Sequence, residues 1–386
     1  MLPASGRQSR CEREVPRQKK TNRKYRQTTM KNLILFFLSL ITNLSLFGQT
    51  NDIWISFWNN DTTLIGYKDK NEIIKIEPKF EAFSIAGKFD YIIAVMEEID
   101  GKYERYHLTK TGRIVGRDSM HIFDNGFDCE NEGFIRFRDR KTDKVGMFNR
   151  NGNIVIPAEY SDLTRVRNGT IVALKGAESE YWDNSREYWS WTGGKEMLID
   201  TLNNVLIDKF PNTTNLNFFS IEKTKTPYLE TIREYFSAID GNYFSFINFE
   251  KEFKQWLIDS LLVNLTTEKL IKASFDTITW WSSKGWERTN KQHFVTDNFE
   301  ILKKGLLEIL NPDCEYFVSS DGLNSNMYEG VEFEKYFNNC DEGKEWIYPL
   351  MKIIVSHKSN NNFTQNHYDF LRTDNGYKLI SVTFRE

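Results

Sequence analysis

Between residues 52 and 211 apolar and polar positions alternate in short runs, each closed by turn-forming residues, which is the pattern of strands and not of helices. Four stretches align: GYKDKNEIIKIEPKF from Gly66, YHLTKTGRIVGRDSM from Tyr106, GMFNRNGNIVIPAEY from Gly146 and MLIDTLNNVLIDKFP from Met197, spaced 40, 40 and 51 residues apart. Their turn column holds Asn71-Glu72, Thr111-Gly112, Asn151-Gly152 and Asn203-Asn204. An Asn-Gly pair supplies the two positive-φ positions of a tight hairpin turn. An apolar strand follows each turn: Ile74/Ile76, Ile114/Val115, Ile154/Ile156 and Val205/Ile207. In the first and third units Pro78 and Pro157 precede a closing aromatic, Phe80 and Tyr160, and proline there ends a strand because it cannot donate to a ladder. Each unit reads as a hairpin plus a linking strand, unable to bury its apolar face alone and therefore stacked on its neighbours.

After Pro211 the pattern changes. Residues 212–226 have the composition of a linker, and apolar spacing then becomes helical at Leu229, Ile232, Phe236 and Ile239, after Pro227 as a first helical residue. A second helix is expected from Phe249, with Phe253, Trp256, Leu257 and Leu261 on one face. A third is expected from Asp297, where Asp297 and Glu300 form a capping box, stopping before Pro312. Strands follow from Met351, His367 and Tyr377, the last two joined by the turn residues Asp374-Asn375-Gly376. The expected fold is multidomain: an all-β array of stacked hairpins over 52–211, then an α+β domain over 227–386, helices first and an antiparallel sheet last.

IIKIEPKF and NGNIVIPAEY resemble the WG-repeat (KWG-type) proteins, whose units carry a Trp-Gly pair, a turn and an Ile-Val-Ile-Pro run ending in an aromatic. The resemblance covers about residues 52–211. It departs at the tryptophan, which is replaced by Ile65, Arg105, Val145 and Glu196 in the four units. It implies a scaffold with an interaction surface and no enzymatic activity. The closing hairpin HYDFLRTDNGYKLISVTF resembles the end of an NTF2-like domain, which implies a conical pocket over residues 226–386.

The N-terminal region adds a location. Residues 1–29 are basic and almost devoid of apolar side chains, so no core can form from them, and Met30 is read as the initiator. Residues 30–48 run from Met30-Lys31-Asn32 into LILFFLSLITNLSLFG, which is signal-peptide anatomy. The expectation is export to a periplasmic or extracellular compartment of a bacterial envelope, with no membrane span after cleavage; an uncleaved anchor is the rival. Export permits disulfides. Cys314 and Cys340 share the C-terminal region and are a candidate pair, either bridged, which would leave Cys129 as a buried odd thiol, or unpaired.

Composition narrows the chemistry. A net charge of −3 provides no field to attract nucleic acid. Elbow, phosphate-loop and paired-histidine motifs are missing, so no catalytic residue, metal or cofactor is expected. Aromatics make up 15% of the chain, enough to supply both core and binding surface. Between the third and fourth units an insert carries Tyr181, Trp182, Tyr188, Trp189 and Trp191, which read either as a cap on the hairpin stack or as a platform for a glycan or protein partner. Trp280, Trp281 and Trp286 read as core or as a groove wall. His357, His367 and Asp369 come from neighbouring strands and are candidates for an NTF2-like pocket. The leading expectation is an exported, non-enzymatic binding or scaffold protein using the β-repeat surface for protein–protein interaction. Its rivals are a glycan-binding protein using residues 181–191, and an enzyme or small-ligand binder using a C-terminal pocket. N-terminal sequencing of native protein is expected to start at or near Gln49; material still carrying residues 1–29 would contradict the export reading.

Overall fold

A computed structural model of the chain describes residues 52–123, 126–183, 188–211, 215–229, 231–359 and 362–384. The basic extension and the expected signal peptide therefore lie outside the described residues. The chain is mostly β with few helices, in many hairpin-like antiparallel sheets, and Ile53–Glu386 forms one compact unit.

Four three-stranded antiparallel meanders come first among the described residues. They are Trp54–Trp58, Ile65–Lys68 and Ile74–Phe80; Ile92–Ile99, Lys102–Thr109 and Ile114–Val115; Phe134–Asp139, Lys144–Asn149 and Ile154–Tyr160; and Thr170–Tyr181, Trp189–Asp200 and Val205–Ile207. One turn joins the last two strands of each. The backbone N–H of its first residue donates to the carbonyl four positions on, and the N–H of the fourth residue donates back to the first carbonyl, starting at Asp69, Thr109, Asn149 and Asp200. The first side chain completes it: Oδ1 of Asp69, Asn149 and Asp200 each accepts from the second and fourth backbone N–H groups that follow.

Only one residue per turn has positive φ: Glu72 (62°), Gly112 (85°), Gly152 (72°) and Asn203 (67°). The expected two-residue turns with two such positions are thus corrected to a longer loop, a turn followed by one left-handed residue. Glu72 takes that one position in a turn whose backbone donors the Asp69 side chain satisfies. The same hydrogen bonds recur at Ala238–Asn242, with Gly241 at positive φ, and at Asn338–Glu342, with Asp341 at positive φ; neither was anticipated.

The first and third meanders share a bulge. Ile65 pairs Phe80 and Tyr67 pairs Ile76, just as Val145 pairs Tyr160 and Met147 pairs Ile156. Three residues, 77–79 or 157–159, therefore stand opposite one glycine, and each trio contains the proline. The bulged strand leans onto that glycine. A Cβ on Gly66 would lie 2.6 Å from the Ile76 carbonyl oxygen, and one on Gly146 would lie 2.6 Å from that of Ile156. Proline is tolerated because a bulge leaves a residue without a ladder partner.

The meanders pack in series. Ile93, Val95, Tyr106 and Leu108 pack with Ile65, Tyr67 and Phe80 of the first, while Ile92, Ala94 and Met96 face Ile135, Phe137 and Phe148 of the third. Val145, Met147 and Ile156 meet Ile171, Ala173 and Met197 of the fourth, whose Val172 and Leu198 face Leu216, Phe218 and Phe246 beyond. Sheets buried on both faces read as continuous apolar runs such as Ile92–Met96.

Leu216–Thr224, placed in the expected linker, is instead a strand in a three-stranded sheet with Tyr243–Asn248 and Arg233–Ser237. The helix expected at Leu229–Ile239 is not formed. Leu229 and Ile239 are exposed, Arg233, Tyr235 and Ser237 pair across to Tyr243–Ile247, and Asp240-Gly241 makes the turn. Helices therefore do not come first in this part of the chain. Helix α1 (Phe249–Trp256) starts as expected, capped by Asn248, whose side chain accepts from the Lys251 N–H at 3.0 Å. After α2 (Thr267–Lys272), helix α3 (Lys291–Glu308) begins six residues before Asp297 because Asn290 caps it. Asp297 lies inside α3 and pairs with His293 at 3.2 Å in place of capping.

A six-stranded sheet closes the fold, in the order Gly285–Asn290, Ser274–Ser282, Gly376–Thr383, Asn362–Thr373, Leu350–Ser359 and Glu315–Asp321. Helices α1 and α3 cover one face through Phe253, Phe294, Leu302, Met351, Ile353 and Tyr368. Residues 323–348 cover part of the other, packing Leu323, Phe333 and Tyr336 on Leu350, Leu371 and Ile380.

Gly146→Ala should destabilise the fold by about 2 kcal/mol or more through overpacking. Gly112→Ala, where a Cβ meets nothing within 4 Å, should cost only about 1 kcal/mol, for its positive φ. Urea unfolding that ranks the two the other way would show that the turn, and not the bulge, sets the spacing.

Candidate functional site

The segments linking one meander to the next lie side by side, and a loop from the C-terminal half sits on them. The tip of that loop is the Asn338–Glu342 turn. The Lys88 N–H donates to the Asn339 carbonyl at 3.0 Å, and the Asn339 side-chain amide donates to Glu130 Oε2 at 3.1 Å. Cys129 and Cys340 form a disulfide across 211 positions, and among the described residues Cys314 is the free cysteine. The candidate Cys314–Cys340 bridge is corrected accordingly. Proximity in sequence misled, because the 338–342 turn packs away from its own sheet, on the meander side.

Beside the disulfide, Asp128 is buried between two guanidinium groups. Arg136 donates from Nη2 at 2.6 Å and Nε at 3.1 Å, and Arg165 donates from Nε at 3.0 Å. Burial alone would raise this carboxyl, but Arg136 and Arg165 outweigh it and hold it far below the usual carboxylate range. Arg165 also donates from Nη2 to Glu342 Oε1 at 3.1 Å, and Arg167 lies 3.7 Å from Glu345. Arg167 is sandwiched between Phe218 and Trp346, with its buried Nε unpartnered.

Three adjoining clefts run past this junction. The middle one, of about 430 Å³, lies between the arginines and the docked loop, with His121, Asp162, Asp321 and Glu345 in its wall. His121 sits 3.5 Å from Asp162, and burial, with Arg136 nearby, lowers its pKa and keeps it neutral. Asp162 and Thr164 also line a cleft of about 320 Å³ that ends at Trp191, Gly193, Gly194 and Glu196. At the other end Asp321 and Gly322 lead into a cleft of about 310 Å³ over the open face of the C-terminal sheet.

At the first end stands the aromatic insert. Its two long strands pair throughout, from Thr170↔Asp200 to Tyr181↔Trp189, whereas their outer neighbours reach only Asp162–Leu163 and Val205–Ile207. The remainder projects as a two-stranded arm. Cross-strand pairing puts Tyr181, Trp189 and Trp191 on one face, with the Trp189 and Trp191 rings 4.8 Å apart, and Trp182 stacks with Tyr188. Trp182 is 70% and Tyr188 59% exposed, so these rings do not cap the hairpin stack. Trp191 lines the cleft.

The proposed C-terminal trio is split. His367 and Asp369 share a face of one strand and line the third cleft with Lys352, Ser381 and Trp286. His357 points to the helix side, 3.6 Å from Glu308, in a separate cleft with Cys314. The pairing Glu315↔Ser356, extended by one residue, sets Cys314 against His357. Burial and Glu308 nevertheless push the thiol pKa up, the opposite of an activated nucleophile. Trp280 packs on Phe294, while Trp281 and Trp286 pair across a hairpin, each about half exposed.

Among the described residues no cluster of three or more His, Cys, Asp or Glu side chains is placed to hold a metal ion, and no helix is long and apolar enough to cross a membrane. No family model, curated protein or solved structure matches the chain.

Unreduced peptide mapping should recover Cys129 linked to Cys340 and a singly alkylated Cys314. Asp128→Ala should lower stability by about 3–5 kcal/mol, since it leaves Arg136 and Arg165 buried without their shared partner. A loss under 1 kcal/mol in denaturant titration would remove Asp128 from the junction's core.

Proposed function

We propose that this is an exported, non-enzymatic binding protein that holds a glycan against the aromatic arm and along the cleft at its base. The arm carries the argument. It presents four aromatic side chains that are each at least 44% exposed, at the end of a two-stranded ribbon with no flanking neighbour. Exposed aromatic clusters of this kind mark binding surfaces. The C–H faces of a pyranose ring pack on aromatic faces, and its hydroxyls need convergent polar partners. The cleft below Trp191 offers Asp162, Thr164 and Glu196 for that role.

A protein partner docking on the meander connections is less well supported. That surface already holds residues 338–346 of the same chain, tied down by a disulfide and by Arg165. A competing segment would have to displace a covalently attached one.

Titration with a panel of soluble envelope-type oligosaccharides should quench tryptophan fluorescence saturably. The Trp189→Ala/Trp191→Ala variant should weaken the best ligand by about tenfold or more, in the range of an aromatic hot spot. Trp281→Ala, on a distant hairpin, should leave it unchanged. Equal affinity in the double variant, or no saturable quenching across the panel, would overturn the glycan reading.

A further inference from the structure

The cleft over the C-terminal sheet has a chemistry of its own, independent of the glycan reading. Asp369 stands mid-strand at its floor, paired across to Lys352 on one side and Ser381 on the other. A lysine opposite an aspartate would normally neutralise it. Here Lys352 turns away and binds Asp321, with Nζ 2.6 Å from Oδ2. The Oδ1 atom of Asp369 is buried without a hydrogen-bond partner. The fold thus retains a buried carboxyl oxygen with no hydrogen-bond partner, which is destabilising unless something else compensates it.

The walls suggest what does. Trp286, 51% exposed, stands at the mouth with Trp281 edge-on against it at 5.3 Å, and Tyr328 closes the inner side. Aromatic faces attract organic cations, most strongly where a carboxylate is close. A bare metal ion is a poor fit, since three suitable ligand groups do not converge among the described residues. An anion is a poor fit too, since the cleft's lysine is already engaged by Asp321.

We infer that this cleft binds a small organic ammonium group, with Asp369 as its counter-ion and Trp286 and Tyr328 as its aromatic walls. The volume of about 310 Å³ suits a molecule of the size of choline or a short polyamine.

The charged and titratable groups facing Asp369 set the pH response. Burial pushes Asp369 up to about 6, Lys352 pulls it down and Asp321 pushes it further up. Tyr328, beneath Arg288, is raised to about 12 and stays neutral. His367 and Asp321 line the same cleft. An ammonium ligand needs the ionised carboxylate, so affinity is full above the Asp369 pKa and declines as pH falls through about 6.

The test is titration of the mature, disulfide-intact protein with choline at pH 7.5, read by calorimetry and by Trp286 fluorescence, against its uncharged carbon isostere 3,3-dimethylbutan-1-ol. Choline should bind saturably and at least about tenfold more tightly than the isostere, as expected for a desolvated cation–carboxylate contact. Asp369→Asn should abolish that difference, and oligosaccharide binding at the aromatic arm should be unaffected. Trp286→Leu, at a half-exposed position that leaves the core intact, should weaken choline binding several-fold and covers the case in which Asp369→Asn fails to fold. Equal binding of choline and the isostere, no saturable binding of choline, or unchanged affinity in both variants would overturn the inference.

Discussion

The two halves of the chain are held together at residues 128–130. Asp128 anchors Arg136 and Arg165, Cys129 is bonded to Cys340, and Glu130 accepts hydrogen bonds from the Gly133 backbone and the Asn339 side chain. Consecutive side chains with such different partners require an extended segment buried from several sides. Closing a loop of 211 positions constrains the unfolded chain by about 5 kcal/mol in the loop-entropy account. The ionic part acts differently. Two arginines around one buried carboxylate cost desolvation that attraction only offsets, so their contribution is mainly to specify where Arg165, and through it Glu342, must lie. Covalent bond and ion cluster thus divide the work: one makes the docking favourable, the other fixes its register.

The docked element is built from the same part as the meanders. Asn338 Oδ1 accepts from the Cys340 and Glu342 N–H groups, as Asn149 Oδ1 does from Asn151 and Asn153. A turn that satisfies its own backbone donors can be buried at a junction without leaving unpaired groups. In the meanders this turn sits at the rim, while in the C-terminal half it serves as a plug. Glu130, pushed up to about 7 by burial, with Asp90 adding to the effect, shows how dry the junction beneath the plug is.

Much of this was legible in the sequence, and what was missed has physical reasons. Alternation around Ile74/Ile76 and Ile154/Ile156 located the strands, but Pro78 and Pro157, read as strand ends, lie in bulges within them, and the reason for Gly66 and Gly146 needed the partner carbonyl's position. Positive φ at Glu72 could not be read from composition, because Asp69's side chain and not glycine stabilises that turn. The expected helix at 229–239 came from apolar spacing alone; Gly241 after Asp240 was the contrary signal, and tertiary packing of Phe236 and Phe246 decided it. The disulfide was beyond reach, since Cys129 and Cys340 meet only once the plug has docked. Among candidate site residues, grouped in the sequence as coming from adjacent strands, His367 and Asp369 share a face by strand period, and the pairing Ile354↔His367 puts His357 on the opposite one.

The clefts follow from the docking. A loop seated on the meander connections cannot also fill the space on either side of itself, because its own turn holds it to a narrow tip. Polar walls remain on both flanks: Asp162 and Glu196 toward the aromatic arm, Asp321 and Asp369 toward the open sheet. Their electrostatics differ because their cations differ. Near the meanders the arginines line the middle cleft and are committed to Asp128, Glu342 and Glu345, while the cleft at the arm is walled by Asp162, Thr164 and Glu196. Over the sheet the only lysine in the cleft is committed to Asp321, leaving Asp369 in excess. One docked loop therefore flanks two clefts of different lining, joined through the middle cleft, which shares Asp162 with one and Asp321 with the other.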